Sequence, residues 1–475
     1  MNSTPYIKLL KTPLGKYFYD VNKNDVVNIS DELYEYLDTH GRNGELSETA
    51  AEEMEALKNN GYLSSHRVRE IKHHLTDKIE DYLERKCSKL TLQLTQNCNF
   101  RCSYCPYSTA EFYTNRSHSS KRMSEEVAIK AIDFYADHSY SKQAVMIGFY
   151  GGEPLLEFPL IKKLVAYAED VFIGKKLSFS ITTNGSLLTE EIMSFFEEHN
   201  FEAVISIDGS KKVHDRNRKF AATGKGTYDT IVNNIEGLYD SHKDYINNKV
   251  LINSVMDPRL PAQEYYSLQD KNEMFRNVSI RRTIVDDFTN TGKHAIDDSF
   301  IKENTILAFK ALMSMINRYP MEKADSNIIQ DELVEKRTAD TYVKPRKEVP
   351  DTAAPAGVCV PGSKLFIDVD GNIHICEKVS ETSKAFVLGN IYDGFDYEQI
   401  KKLLNIGALT AEKCRNCFAF SLCSICQRFC NAGDELSAAA KTEYCEWSKN
   451  YALHVFYNKI FYSELSGMFN KGGEV

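Results

Sequence analysis

The stretch LTLQLTQNCNFRCSYC, residues 90–105, joins an alternating apolar run to three closely spaced thiols. Leu90 to Thr95 reads as a strand. Cys98, Cys102 and Cys105 follow it with the spacing C-x3-C-x2-C, and a helix near Glu125–Asp137 comes next. The same strand-then-helix order repeats downstream. AVMIGFY (144–150) precedes a helix near Pro159–Val171, LSFSITT (177–183) one near Glu190–His199, and AVISI (203–207) one near Tyr228–Tyr239. KVLINSV (249–255) begins a further unit. This alternation predicts an α/β fold, a parallel sheet with right-handed crossovers closed as a full or partial barrel.

The chemistry-bearing residues fall at one place in each repeat. Cys98, Glu153, Asn184 and Asp208 all stand at or just after a strand's end. In α/β barrels and open α/β sheets that edge carries the active site.

The flanking regions read differently. YIKLL, KYFYD and DVVNI predict three short strands before residue 30. Helices follow around Asp31–Leu37, with Ser30 as N-cap, and around Thr49–Leu57, stopped by Gly61. The charged stretch from Arg67 to Lys86 predicts a helical connector. Residues 301–350 form a bridge that begins helical and becomes polar. Beyond it the chain is cysteine-rich, with sheet signal in KLFIDV and NIHIC. These shifts divide the sequence into residues 1–88, 89–300, 301–350 and 351–475.

A net charge of -9 argues against a nucleic-acid surface, which needs a basic footprint. No apolar run approaches the roughly 18 residues of a membrane span, and residues 1–20 read as neither signal peptide nor anchor. A cytoplasmic location is the expectation. Eleven of twelve cysteines are clustered, Cys87 standing apart. In a reducing compartment that pattern indicates metal ligands rather than disulfides.

Three thiolates on one short loop suit three irons of a 4Fe–4S cube and leave the fourth open. An open metal position is what a catalytic site needs. The competing reading is a structural zinc site with a distant fourth ligand, which would make the chain a zinc-stabilised binding module. The C-x3-C-x2-C loop resembles the defining motif of the radical S-adenosylmethionine superfamily. Tyr104 before the third cysteine, Gly151-Gly152-Glu153-Pro154, Thr183-Asn184-Gly185 and Ser206-Ile-Asp208-Gly209 with His214, Asp215 and Arg218 extend that resemblance. It implies that the open iron chelates S-adenosylmethionine and that its reductive cleavage yields a 5′-deoxyadenosyl radical. Tyr104 would then lie near the adenine and Gly152 would let the backbone approach the ligand. Glu153 would receive the ammonium group, and Asn184, Ser206 and Arg218 would complete the cofactor contacts. For Asp208 and His214, hydrogen bonding within turns is an equal alternative.

Eight cysteines remain: Cys359, Cys376, Cys414, Cys417, Cys423, Cys426, Cys430 and Cys445. Gly371-Asn-Ile-His-Ile-Cys376 and the C-x2-C-x5-C of Cys414, Cys417 and Cys423 resemble the SPASM domain of peptide-modifying radical enzymes. That resemblance implies two auxiliary 4Fe–4S clusters, hence three in all. Gln427 stands where the motif has its next cysteine, flanked by Cys426 and Cys430. The outer cluster would take Cys414, Cys417, Cys423 and Cys445. The inner would take Cys359 and Cys376 with Cys426, Cys430 or both. Two zinc sites are the alternative. Glu377, after Cys376, matches the place of a catalytic base in sulfatase-maturing relatives; a solvated surface carboxylate is the alternative. His374 has no identifiable partner and reads as structural.

The full pattern resembles thioether-forming (sactipeptide/ranthipeptide) maturases. It implies a partial (β/α)6 TIM-like barrel, a small N-terminal winged-helix-like peptide-recognition domain, and a C-terminal SPASM domain. Implied partners are a precursor peptide whose leader adds to a sheet edge and an electron donor such as flavodoxin or ferredoxin. The reaction implied is a bond from cysteine sulfur to carbon. Formylglycine formation, carbon–carbon crosslinking and epimerisation use the same parts.

Overall fold

The computed structural model describes residues 4–39, 45–107, 116–271, 273–285, 296–320 and 326–470. Packing divides the chain into two units. One is Lys78–Ile328 with Val360–Ile400; the other is Met1–Asp77 with Ile329–Cys359 and Lys401–Val475.

The N-terminal residues follow their local signals. β1 (Ile7–Lys11), β2 (Lys16–Asp20) and β3 (Asp25–Ile29) pair antiparallel in chain order. α1 (Asp31–Asp38) begins where Ser30 Oγ accepts the Leu33 N–H, with Asp31 and Glu32 in its first turn. α2 (Glu48–Asn59) is capped in the same way by Ser47. Phe18, Ile29, Leu33 and Leu63 close a small core between this sheet and its helices.

The expected helical connector at 67–86 is a correction. The chain there forms β4 (Glu70–Ile71), a short 3-10 turn and α3 (Ile79–Leu83). Its backbone donors go elsewhere. Arg69 N and Glu70 N donate to the Asp351 carbonyl, Lys72 N to that of Ala353, and His73 N to Asn405 Oδ1. A helix would have kept those donors for itself.

The larger unit holds the alternating elements. They are β5 (Lys89–Thr95), α4 (Glu125–His138), β6 (Ala144–Gly151), α5 (Phe158–Val171), β7 (Lys176–Thr183) and α6 (Glu190–Glu198). After β8 (Phe201–Ser206) come α7 (Lys211–Asn217), α8 (Tyr228–Tyr239) and α9 (Lys243–Lys249). β9 (Val250–Met256), α10 (Gln263–Lys271) and β10 (Ser279–Ile284) complete the series. β5 to β10 pair in parallel in chain order, the six strands of the expected partial (β/α)6 barrel. Phe149, Phe179 and Phe201 stack across three adjacent strands on the face that packs against α6, where Phe201 meets Phe196.

α11 (Asp298–Met315) and α12 (Ser326–Tyr342) follow, and β11 (Thr352–Ala353) pairs with β4. The large sheet continues past β5. β12 (Lys364–Ile367) adds in parallel, then β13 (Asn372–His374), β14 (Val387–Asn390) and β15 (Gly394–Phe395) antiparallel. The strands in KLFIDV and NIHIC were legible. VLGN and GF were not, being short and glycine-bearing, which local propensity scores against. α13 (Tyr397–Leu404) comes next, and the smaller unit ends with α14 (Ala411–Arg415), α15 (Ala438–Glu443) and α16 (Cys445–Asn470), Tyr19 of β2 stacking on Phe456 at 3.9 Å.

Leu33 is fully buried in the small N-terminal core. Leu33→Ala should destabilise that core by about 3 kcal/mol. Limited proteolysis should then cut within the first 77 residues faster than in wild type.

Candidate active site

β5, β6, β7 and β8 all end at one edge of the sheet, and the singled-out residues lie there. Two glycines set the spacing. Gly152 N donates to the Thr95 carbonyl at 2.8 Å, and Glu153 N to that of Asn97 at 2.9 Å. A Cβ on Gly151 would stand 2.2 Å from Thr95 O, and one on Gly152 2.0 Å from Asn97 O. The glycines therefore let two strand ends meet; the atoms they approach are backbone.

The thiol loop is tied down at each step. Asn99 Oδ1 accepts from Asn184 Nδ2 at 2.8 Å, and its Nδ2 donates to Ser186 Oγ at 2.9 Å. Arg101 N donates to the Lys219 carbonyl and Ser103 N to that of Asn217. Phe100 packs edge-on against Phe220. Asn99 and Asn217 were missed in the sequence, since nothing near them marks their partners.

Cys98, Cys102 and Cys105 are free, half-buried thiols within electrostatic range of one another. Burial pushes the Cys98 and Cys102 thiols up to about 12. These sulfurs need a cation beside them to become the thiolates that ligate metal. A soft all-sulfur donor set suits iron–sulfur ligation. Among the described residues no three His, Cys, Asp or Glu side chains converge on one point as ligands of a single metal ion do.

Glu153 is buried at this edge. Its Oε1 accepts from Thr183 Oγ1 at 2.7 Å and Leu155 N at 3.1 Å, its Oε2 from Asn184 N at 2.7 Å. Burial raises its pKa to about 7, against the pull of those three donors. Such a carboxyl is poised to ionise when a cation arrives.

Asp208, fully buried, organises the next position. It binds Arg218 through two 3.0 Å hydrogen bonds, accepts from Val255 N, and takes the Tyr104 hydroxyl. The Arg218 guanidinium lies over the Tyr104 ring. Arg218, predicted as a cofactor contact, thus has its Nε and Nη2 engaged by the chain itself. Ser206 is buried at the end of β8. His214 Nδ1 accepts from Asp208 N, and Nε2 meets Thr227 Oγ1 at 2.9 Å. Burial lowers its pKa to about 3, so it is a neutral structural group.

Glu377 is half-buried, its carboxylate within range of Tyr150 and Lys89, and its carbonyl accepts from the Tyr107 hydroxyl at 3.1 Å. Four residues on, Glu381 forms a buried pair with Arg116 at 2.8 Å and accepts from Gln93 Nε2 at 2.7 Å. The Arg116 guanidinium covers the Tyr107 ring at 3.9 Å. This cluster was invisible in the sequence because its partners lie 265 residues apart. His374 pairs with Asp368 at 2.8 Å in the β12–β13 hairpin. Cys87 is buried against the Leu83 and Gly362 carbonyls.

Cys376 belongs to this larger unit, whereas Cys359 and the six cysteines from 414 to 445 belong to the smaller. All are free. Within the smaller unit, Cys417 and Cys414 each lie within range of Cys423. Cys430 lies within range of Cys426, Cys423 and Cys445, and Cys426 of Cys359.

Residues 92–267 match the Radical SAM superfamily. The chain is 34% identical over 160 residues to a cysteine-type anaerobic sulfatase-maturating enzyme of Clostridium novyi, covering 32% of this chain and 40% of that one. It is 27% identical over 174 residues to the radical SAM cyclopropyl synthase TigE of Paramaledivibacter caminithermalis, covering 35% of each. The chain thus matches less than half the length of these curated relatives. Native anSMEcpe with bound AdoMet shares the fold: TM-score 0.57 at 20% identity, over 79% of this chain and 99% of that one.

Asp208→Ala should strand a buried guanidinium and cost about 3–5 kcal/mol. Chemical denaturation should show the loss, and Asp208→Ala combined with Arg218→Met should recover part of it.

Proposed function

Proceeding from a radical SAM domain over residues 92–267, we propose that this chain is a maturase that installs thioether crosslinks in a ribosomally made precursor peptide. The observation that carries the reading is one sheet edge holding a three-thiol loop, a buried carboxyl near pKa 7 and a buried arginine. Eight further cysteines downstream support it.

When bound, a 4Fe–4S cluster and S-adenosylmethionine would supply hydrogen-atom abstraction through one-electron reductive cleavage. Cys98, Cys102 and Cys105 would hold that cluster. Glu153 would accept a hydrogen bond from the cofactor's amino group, and Tyr104, Gly152, Asn184, Ser206 and Arg218 would shape the rest of its site. Arg218 would offer Nη1 to a carboxylate while Asp208, bound at Nε and Nη2, fixes its plane. Glu377 would take the proton of a substrate thiol. The buried Arg116–Glu381 pair, through Tyr107, holds the backbone at Glu377 in place. Cys359, Cys376, Cys414, Cys417, Cys423, Cys426, Cys430 and Cys445 would serve two auxiliary clusters. β1 and β3 are the edge strands of the N-terminal sheet, and an extended leader can add to one of them. Electrons would come from a flavodoxin or ferredoxin. No helix among the described residues is long and apolar enough to cross a membrane.

The relatives named as sulfatase-maturating enzymes favour a second reading, formylglycine formation. The two separate by product. A thioether removes two hydrogens and a titratable thiol; a formylglycine carries an aldehyde that hydrazides trap. Mass spectrometry of a cysteine-bearing candidate peptide after anaerobic turnover decides between them. Cys102→Ala should abolish both cofactor cleavage and peptide modification; turnover by that variant would sink the proposal. Reconstituted wild type should carry about twelve irons per chain.

Glu153 yields a pH prediction. Glu153 accepts the cofactor's N–H best when ionised, so S-adenosylmethionine affinity should weaken as pH falls below about 7, approaching tenfold per unit. Anaerobic calorimetry at about pH 6 and pH 8 should show this slope, and Glu153→Gln should flatten it and bind weakly at both.

A further inference from the structure

We propose that Lys441 is the charge-compensating residue of the outer auxiliary cluster, raising its reduction potential. The inference rests on the reading that Cys414, Cys417, Cys423 and Cys445 hold iron and sulfide.

Lysine is seldom buried without an anion, because moving an ammonium out of water is costly unless it is paired. Lys441, on α15, is 2% exposed. Among the described residues no carboxylate lies within salt-bridge distance of it. Its Nζ instead points at sulfur, 3.4 Å from Cys414 Sγ, and also donates to Thr410 Oγ1. Thr410 Oγ1 lies 3.3 Å from the same Sγ. Cys445 Sγ, at the start of α16, lies 3.9 Å from the Lys441 carbonyl. The anions this lysine is placed to meet are therefore thiolates.

The local sequence explains the placement. Ser437 caps α15, accepting from Ala440 N. Cys445 opens α16 four residues after Lys441, beyond the Tyr444 turn that ends α15. A second lysine within range of these thiols, Lys449, is half-exposed and paired with Glu446 at 3.2 Å. Water and that carboxylate screen its charge; neither screens Lys441.

A cluster held by four thiolates is anionic and gains negative charge on reduction. A buried ammonium that hydrogen-bonds a ligand sulfur stabilises the reduced form more than the oxidised form. Removing it should lower the midpoint potential, and arginine should preserve it.

The test uses the full-length chain carrying Cys98→Ala, Cys102→Ala and Cys105→Ala, so that only auxiliary iron remains. After anaerobic reconstitution, iron and sulfide are counted and midpoint potentials are read by EPR-monitored titration, with Lys441→Met and Lys441→Arg compared. The expected result is a tenfold shift against reduction for one auxiliary centre in Lys441→Met, about 59 mV downward, with Lys441→Arg close to the parent. If Lys441→Met loses about four irons while Lys441→Arg keeps them, the charge is required even for assembly, which also supports the proposal. Unchanged potentials in Lys441→Met, or equal iron loss in both variants, overturn it. A parent that binds no auxiliary iron fails the cluster reading itself, which the iron count reports separately.

Discussion

The meeting of two parallel strand ends governs the catalytic edge. β5 hands its chain to the thiol loop and β6 hands its chain to Glu153. Two hydrogen bonds, from Gly152 N to Thr95 O and from Glu153 N to Asn97 O, lock those exits together. Neither bond could form with a side chain at 151 or 152, since a Cβ there would overlap the carbonyl oxygens of β5 and its exit. Backbone sterics at this seam therefore set how far the first thiol stands from the buried carboxyl.

Buried charge is the second organising feature. Arg218 and Asp208 pair in the interior, and so do Arg116 and Glu381. Burying such ions costs more than a surface contact returns, unless their donors and acceptors are matched. Here they are matched by side chains from separated segments: Tyr104 and Val255 N for Asp208, Gln93 for Glu381. A network of that kind holds one arrangement and penalises others. Fixing groups before a ligand arrives is what a site that handles a reactive radical requires.

The smaller unit shows the same logic in another form. Its hydrophobic packing is ordinary, joining the three-stranded sheet to the long C-terminal helix through Tyr19 and Phe456. Its unusual feature is a concentration of half-buried thiols around a lysine that has no acid partner among the described residues. The thiols and the ammonium are each costly alone and complementary together.

The sequence by itself determined the strand–helix alternation, the three N-terminal strands, the capped helices after them and the thiol loop. Those features live in windows of fewer than twenty residues, where periodicity, caps and spacing act directly. It also places Cys98, Glu153, Asn184 and Asp208 at strand ends. It misread 67–86, because charge without apolar periodicity says nothing about a backbone whose partners lie near residue 352. Only the tertiary structure decided that β12 joins β5, that Arg218 is engaged by Asp208 and Tyr104, that Arg116 finds Glu381, and that Lys441 meets Cys414. Each is a contact made when the chain returns to itself, and the free energy that selects it depends on burial, which no local window contains.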